Sequence, residues 1–126
     1  MIGIDIIKTE RMQKLMEKFP QKGLQKFLSD EEIALVKSHK TAAGFWAAKE
    51  AFSKAIGTGI GKECSFKDIK IYKTQKGAPQ LALAKHLVEK FSITDASLSI
   101  THDGEYAICV VAIESNSPTT DKIKQF

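Results

Sequence analysis

Arginine is nearly absent from this sequence. Arg11 is the single arginine among 19 basic residues, and arginine is the usual residue for bidentate recognition of phosphates and bases. The lysines are scattered, so the net charge of +4 favours anionic partners without marking a groove for nucleic acid. Paired aromatic residues on a strand, which many RNA-binding modules use, are also lacking. We therefore expect no nucleic-acid partner, and a small basic nucleic-acid-binding module is the alternative from another class.

Cysteine and long apolar runs are scarce as well. Cys64 and Cys109 lack CxxC spacing, and Cys109 lies in an apolar strand pattern, which favours buried free thiols over a disulfide or a zinc site. No apolar run is long enough to cross a bilayer, and Asp5 lies where a signal peptide needs its apolar segment. We expect a cytoplasmic protein without membrane contact. Its domain is predicted to span 1–114, and the polar segment 115–126 is predicted to be a flexible tail.

The sequence is organised around the run 46–61. From position 45 to 56, apolar residues recur at three- and four-residue spacing, which predicts a long helix with one packed face. These residues are Phe45, Ala48, Phe52, Ala55 and Ile56. Gly57 follows the last of them and is predicted to be a left-handed C-cap, with Gly59 and Gly61 continuing a glycine loop. Glu50 and Lys54 share a neighbouring stripe of the same helix.

The other elements are predicted from periodicity and turn signals. We expect strands over 1–7, 66–73, 80–83, 97–102 and 106–113, helices over 8–19, 29–36 and 84–91, and a turn over 21–26. The order is strand, helix, helix, long helix, two strands, helix and hairpin. It predicts an α+β domain with a mostly antiparallel sheet wrapped on a long central helix.

Three elements carry residues with the chemistry of a phosphate site. Asp5 on the first strand and Glu50 on the long helix are two carboxylates, which suit Mg²⁺. Lys54, one turn further along, and the backbone N–H groups of the loop Gly57-Thr58-Gly59 suit a phosphate. The combination predicts a site for a phosphate ester held by Mg²⁺.

Each of these signals has a simpler alternative. Asp5 can lie at a sheet edge in water, and Glu50 with Lys54 can be an exposed ion pair along the helix. Thr101 and His102, at the tip of the predicted hairpin, are either a fourth part of the site or ordinary turn residues. Neither the Walker pattern nor GxGxxG after a strand is present. A metal-dependent nucleotide hydrolase using the same acids is a second alternative function.

Three blocks of the sequence carry a family resemblance: Gly3-Ile4-Asp5-Ile6, the run from Trp46 to Gly61, and Ser99-Ile100-Thr101-His102-Asp103. In order and spacing they resemble the signature blocks of the short, single-domain 4′-phosphopantetheinyl transferases, the holo-acyl-carrier-protein synthase type. The resemblance implies the phosphopantetheinyl transferase fold. It also implies Mg²⁺-dependent transfer of 4′-phosphopantetheine from coenzyme A to a serine of apo-acyl carrier protein, in fatty acid biosynthesis, with release of adenosine 3′,5′-bisphosphate.

The resemblance further implies roles for individual residues. Asp5 and Glu50 match the magnesium ligands, and Glu50 and Lys54 match catalytic residues. The residues that match coenzyme A contacts are Lys54, Gly57, Thr58, Gly59, Thr101 and His102. The family works as a homotrimer with active sites between subunits. Its first helix docks the acidic carrier protein, and here that helix carries the positive stripe of Arg11, Lys14 and Lys18.

Two positions depart from the family pattern. Phe45 stands where the family commonly has a basic residue, directly before the aromatic of the central block. The turn Lys76-Gly77-Ala78-Pro79 replaces the usual Asn-Gly-Lys-Pro. One phosphate contact therefore needs a cation from elsewhere, and Lys76 is the candidate.

Overall fold

The computed structural model describes residues 1–116 and 124–125. In chain order the elements are β1 (Ile2–Lys8), α1 (Thr9–Lys18), α2 (Lys22–Gln25), α3 (Asp30–Ile33), α4 (His39–Ala55), a 3₁₀ turn (Phe66–Asp68), β2 (Ile69–Lys73), β3 (Pro79–Leu83), α5 (Lys85–Lys90), β4 (Ile93–Asp103) and β5 (Tyr106–Ser115). The predicted α+β class is confirmed. None of the helices in the described ranges has the length and apolarity needed to span a bilayer.

The strands form two antiparallel sheets. The larger has the order β1-β5-β4, and β2 pairs with β3 in a separate hairpin. The register of the larger sheet places Gly3 opposite Val111 and Asp5 opposite Cys109, with all four side-chain positions on the face that packs against α4. Because side chains alternate along a strand, Asp5 is turned toward the long helix and not toward the outer face.

Helix α4 is the element on which the larger sheet and α1 pack. The Ser38 hydroxyl caps its start by accepting the Lys40 amide, and Gly57, with φ near +81°, follows its last turn as predicted. Phe45 and Phe52 are fully buried, and burying a side chain of this size contributes about 1.5–3 kcal/mol. The larger sheet and α1 both contact α4, so the position of this helix sets how the sheet and α1 lie relative to each other.

A polar network lies inside this core. The Lys49 ammonium, in the middle of α4, donates to the carbonyl oxygens of Phe27 and Phe66 and to Glu32 Oε1, at 2.7–3.0 Å. Glu32 Oε2 in turn accepts the Ile71 amide of β2 at 3.0 Å. Both side chains are out of contact with water. Burial lowers the pKa of Lys49, and the hydrogen bond and charge of Glu32 oppose that shift. We call this set the Lys49 network.

The outer face of the larger sheet exposes an apolar surface. Ile2, Ile4 and Ile6 of β1 are each more than half exposed, and β5 adds Ile108 and Val110 opposite Ile6 and Ile4. We call these five residues the outer ridge. The near-continuous apolar run of 106–113 suggests a strand buried on both faces, but within a single chain one face of β5 is partly exposed. A contiguous apolar surface of this kind is typical of a contact with another protein.

Several element boundaries differ from the prediction. The segment 21–26 contains the one-turn helix α2, which is held by burial of Leu24 and is too short to show a helical period. The segment 66–68 is a 3₁₀ turn, so β2 begins at Ile69. Strand β4 begins at Ile93, earlier than the predicted start at 97. A register shift between Ile93 and Asp95 interrupts the side-chain alternation there, so the sequence pattern did not reveal the first residues of the strand.

The two cysteines are buried free thiols, as predicted. Burial raises the pKa of Cys64 to about 11 and that of Cys109 to about 12. Neither thiol is therefore a nucleophile at neutral pH.

Candidate active site

Asp5 and Lys54 meet where β1 crosses the last turn of α4. The Lys54 ammonium donates to Asp5 Oδ1 at 2.9 Å and to the Ile4 carbonyl oxygen at 3.2 Å. The Asp5 side chain is 13 % exposed and the Lys54 side chain 52 % exposed. Asp5 is therefore not an edge residue in water, although β1 is an edge strand. The alternative of a Glu50–Lys54 surface pair does not describe this contact, because the partner of Lys54 lies on another element.

Glu50 lies one turn before Lys54 on the same helix and is half-buried. Burial raises the pKa of its carboxyl, and the nearby charge of Asp5 raises it further, while Lys54 and Arg11 act in the opposite direction. Two carboxylates are thus close enough to repel each other. The positive charge of Lys54 offsets only part of the repulsion between Asp5 and Glu50.

This donor set fits a magnesium ion. Burial and then the charge of Asp5 raise the pKa of Glu50, and a divalent cation held by the two acids would offset the repulsion between them. Within residues 1–116 and 124–125, no three His, Cys, Asp or Glu side chains converge into a complete protein shell. An ion held by these two acids would complete its coordination with water and substrate oxygens, as Mg²⁺ commonly does.

The glycine loop lies next to these residues, but its amides are already bonded. Thr58 and Gly59 both donate to the Ser53 carbonyl oxygen at 3.1 Å, and Gly57 and Gly61 donate to other carbonyl oxygens. The expectation that these amides are free to bind a phosphate is wrong for this conformation. Gly57 and Gly59 have positive φ, and a Cβ on either would meet nothing within 4 Å. Glycine therefore serves the turn itself and leaves an open surface beside Lys54.

Thr101 and His102 do not join this group within one chain. They alternate along β4, so Thr101 lies on the outer face and His102 faces α4, where its Nε2 is 2.8 Å from the Lys40 carbonyl oxygen. Lys40 is at the start of α4 and Gly57 lies beyond its end. A helix of 17 residues is about 25 Å long, so the two halves of the predicted coenzyme A site lie at opposite ends of α4.

Phe45, which replaces a basic residue in the family pattern, is buried. The ammonium of Lys73, at the end of β2, lies 5.9 Å from the centre of its ring. Lys76 stays the predicted replacement cation, and Lys73 is a second candidate that the sequence analysis did not name. The signal was available, since strand alternation puts Lys73 on the same face as the buried Ile69 and Ile71.

The predicted positive stripe on α1 is not uniform. The Arg11 guanidinium lies 5.7 Å from the centre of the Trp46 ring, on the side of α4 that carries Glu50. Lys14 forms an exposed ion pair with Glu10 at 3.0 Å. Of the stripe residues, Arg11 is therefore the one that borders the proposed site.

Comparison with known proteins identifies the family. A family model described as the 4′-phosphopantetheinyl transferase superfamily matches residues 1–111. The chain belongs to this superfamily. A holo-[acyl-carrier-protein] synthase of Sulfurimonas denitrificans is 61% identical over 117 residues, which are 93% of this chain and 97% of that protein.

Solved structures of this superfamily share the fold. A Helicobacter pylori holo-[acyl-carrier-protein] synthase in complex with coenzyme A is 48% identical, with a TM-score of 0.87 over 90% of this chain and 100% of that one. A Bacillus anthracis synthase in complex with CoA (3′,5′-ADP) is 38% identical, with a TM-score of 0.75 over 91% and 96% of the two chains. The predicted fold, an antiparallel sheet packed on a long helix, is thereby confirmed.

Proposed function

We propose that this chain is a holo-acyl-carrier-protein synthase. It transfers 4′-phosphopantetheine from coenzyme A to a serine of apo-acyl carrier protein and releases adenosine 3′,5′-bisphosphate, in fatty acid biosynthesis. The observation that carries the proposal is the convergence of Asp5, Glu50 and Lys54 from two distant segments, beside an open glycine loop. Relatives that carry the synthase name, one of them solved with coenzyme A, support it.

The residues account for the chemistry of this transfer. The serine oxygen forms a bond to the β-phosphorus of the coenzyme A pyrophosphate. The bond from that phosphorus to the bridging oxygen breaks, the bisphosphate leaves with that oxygen, and the serine proton is released. Lys54, half-exposed at the site, is placed to stabilise the negative charge that develops on the phosphoryl oxygens. Asp5 and Glu50 would hold Mg²⁺, which when bound supplies further charge neutralisation there.

The separation of the site residues along α4 supports assembly into a homotrimer. His102 and Lys54 cannot contact one coenzyme A phosphate group from the same chain if they lie at opposite ends of a helix about 25 Å long. A neighbouring subunit can bring its His102 and Lys73 to the Lys54 end. The outer ridge supplies an apolar surface for such contacts.

The assembly is tested by sedimentation of the wild-type chain and of Ile4→Lys, which places a charge in the outer ridge. We expect a trimer for the wild type, and a dissociated, inactive chain for Ile4→Lys. Val88→Lys is the matched control, because Val88 is an exposed apolar residue on α5, outside the ridge. A monomeric Ile4→Lys chain with full activity would contradict shared active sites.

The transfer itself is tested by intact mass measurement of apo-acyl carrier protein after incubation with this protein, coenzyme A and Mg²⁺. The expected result is a gain of one phosphopantetheine group. A carrier protein with its acceptor serine replaced by alanine is the control. No gain with any divalent metal overturns the proposal. Release of the bisphosphate at the full rate without carrier protein would instead identify a hydrolase.

We also propose that the domain spans 1–114. The family model, which matches residues 1–111, supports this limit. Strand β5 continues through Ser115, one residue beyond it. Residues 117–123 and 126 of the predicted tail lie outside the described part of the chain. The cytoplasmic location stays a prediction.

A further inference from the structure

Gly3 lies where the backbone of β1 contacts the backbone of α4. A Cβ added at Gly3 would overlap the carbonyl oxygen of Ala51 and would lie 2.6 Å from the amide nitrogen of Ala55. Both are main-chain atoms of a helix, so no side-chain rotation can make room. Gly3 has no positive φ, so its backbone conformation does not require glycine. Glycine is required at this position because the strand lies so close to the helix.

This contact lies at the proposed cation site. Ala51 and Ala55 directly follow Glu50 and Lys54, and Asp5 is two residues beyond Gly3 on the same face of β1. Strand β1 pairs with β5 along its whole length, so it moves as a unit. The separation of strand and helix at Gly3 therefore sets the separation of Asp5 from Glu50 and Lys54.

We propose that Gly3 is a positioning residue for the site, because its missing side chain sets the distance between the two carboxylates. The inference rests on the proposed metal-dependent function. An ordinary contact for a Cβ is 3.4–4 Å, so alanine at this position has to push β1 away from α4. The displacement is on the order of 1 Å. A misplacement of this size lowers the reaction rate at a preorganised site by about 100-fold.

The test compares Gly3→Ala with Gly23→Ala in the full-length assembled protein. The Cβ of Gly23→Ala would lie 3.0 Å from Leu15, at the contact of α1 with α2, so this variant introduces crowding away from Asp5. The readout is Mn²⁺ binding, followed by electron paramagnetic resonance in the presence of coenzyme A. We expect at least about tenfold weaker binding for Gly3→Ala and less than about twofold for Gly23→Ala. Excess Mg²⁺ should restore part of the activity of Gly3→Ala.

Combining Asp5→Glu with Gly3→Ala provides a rescue experiment. If Gly3→Ala only destabilised the fold, a longer acid at position 5 would not restore Mn²⁺ binding. The longer side chain should weaken Mn²⁺ binding in the wild-type chain and restore it in the Gly3→Ala chain, where the gap is wider. If Gly3→Ala does not fold, Mn²⁺ binding by the single variant Asp5→Glu tests the inference. Its longer side chain changes the separation of the two carboxylates without changing the contact at Gly3.

Two outcomes are distinguished. If the wild type binds Mn²⁺ through Asp5 but folded Gly3→Ala binds it equally well, or if Asp5→Glu alone retains wild-type affinity, the inference about Gly3 is wrong and the proposed function stands. If the wild type binds no Mn²⁺, or Asp5→Asn binds it as well as the wild type, the proposed metal site fails and the inference fails with it.

Discussion

Helix α4 carries two lysine–carboxylate pairs with the same 2.9 Å separation and opposite surroundings. Lys49 and Glu32 are 0 % and 1 % exposed, whereas Lys54 and Asp5 are 52 % and 13 % exposed. The three donors of Lys49 match three acceptors within the core. Lys54 faces water at the edge of a site. The two pairs therefore differ in their surroundings and not in their separation.

The buried pair ties together segments that are distant in sequence. Lys49 bonds the chain before α3 and the chain after the glycine loop, and Glu32 bonds the start of the β2–β3 hairpin through Ile71. Removing one partner leaves a buried charge without its counter-charge. The exposed pair connects only β1 and α4, and water can replace either partner. We therefore expect substitutions at the two pairs to affect different properties.

The largest expected effect is on stability, from Lys49→Met. This variant keeps the volume of the side chain but leaves Glu32 and two carbonyl oxygens buried without their donor. We expect a loss of about 3–5 kcal/mol in the free energy of unfolding. Urea denaturation at fixed protein concentration measures it. The matched control is Lys54→Met, which should cost less than about 1 kcal/mol. Equal stabilities of the two variants would show that burial does not separate the pairs.

Asp5→Ala and Glu50→Gln should produce the converse result, a loss of activity with the fold retained. Each variant removes one charge from the proposed cation site, and Glu50→Gln keeps the side-chain shape. We expect at least about a 100-fold loss in turnover of carrier protein, with a thermal midpoint close to that of the wild type. Glu63→Gln is the control, since Glu63 forms an exposed ion pair with Lys90. Near-normal turnover in Asp5→Ala would make its contact with Lys54 structural.

A smaller effect is expected at Arg11, which borders the exposed pair. Arg11→Glu should raise the KM for acyl carrier protein several-fold and leave the KM for coenzyme A nearly unchanged, because a rim charge acts mainly on association with an acidic partner. Lys14→Glu should do less, since Lys14 already pairs with Glu10. Steady-state kinetics at about 50 and 300 mM salt measure both, and screening should reduce the difference at the higher salt. Unchanged carrier-protein kinetics for Arg11→Glu at low salt would place the docking surface elsewhere.

The sequence indicated the residues of the exposed pair but not the pair itself. The period of α4 and the pattern of β1 singled out Glu50, Lys54 and Asp5 by their chemistry, whereas the contact of Lys54 with Asp5 came only from the structure. A lysine inside a helical pattern looks the same whether it is solvated or buried, so the role of Lys49 was missed. The run Ser29-Asp30-Glu31-Glu32 has the local pattern of a capping box, and the box is present. The second bond of Glu32, to Ile71, spans 39 positions and left no local signal.

The same limit explains the remaining differences at the site. Strand alternation was enough to place Thr101 and His102 on opposite faces, but the contact of His102 with Lys40 depends on how the sheet lies on α4. The amides of Thr58 and Gly59 donate to the Ser53 carbonyl oxygen, because the chain turns back on the last turn of the helix. Local patterns therefore identify which residues have the right chemistry. Their partners are decided by tertiary packing.

The pairing of β1 with β5 makes the site dependent on the order of synthesis. Within the described residues, the strand that carries Asp5 pairs with β5 alone, and β5 is synthesised long after β1. Until then the isoleucines of β1 have no sheet to join, and contacts this distant in sequence form slowly. A stalled or shortened nascent chain that lacks β5 would present an apolar strand with an unpaired edge to any passing partner. The proposed site can therefore form only after β5 has been made.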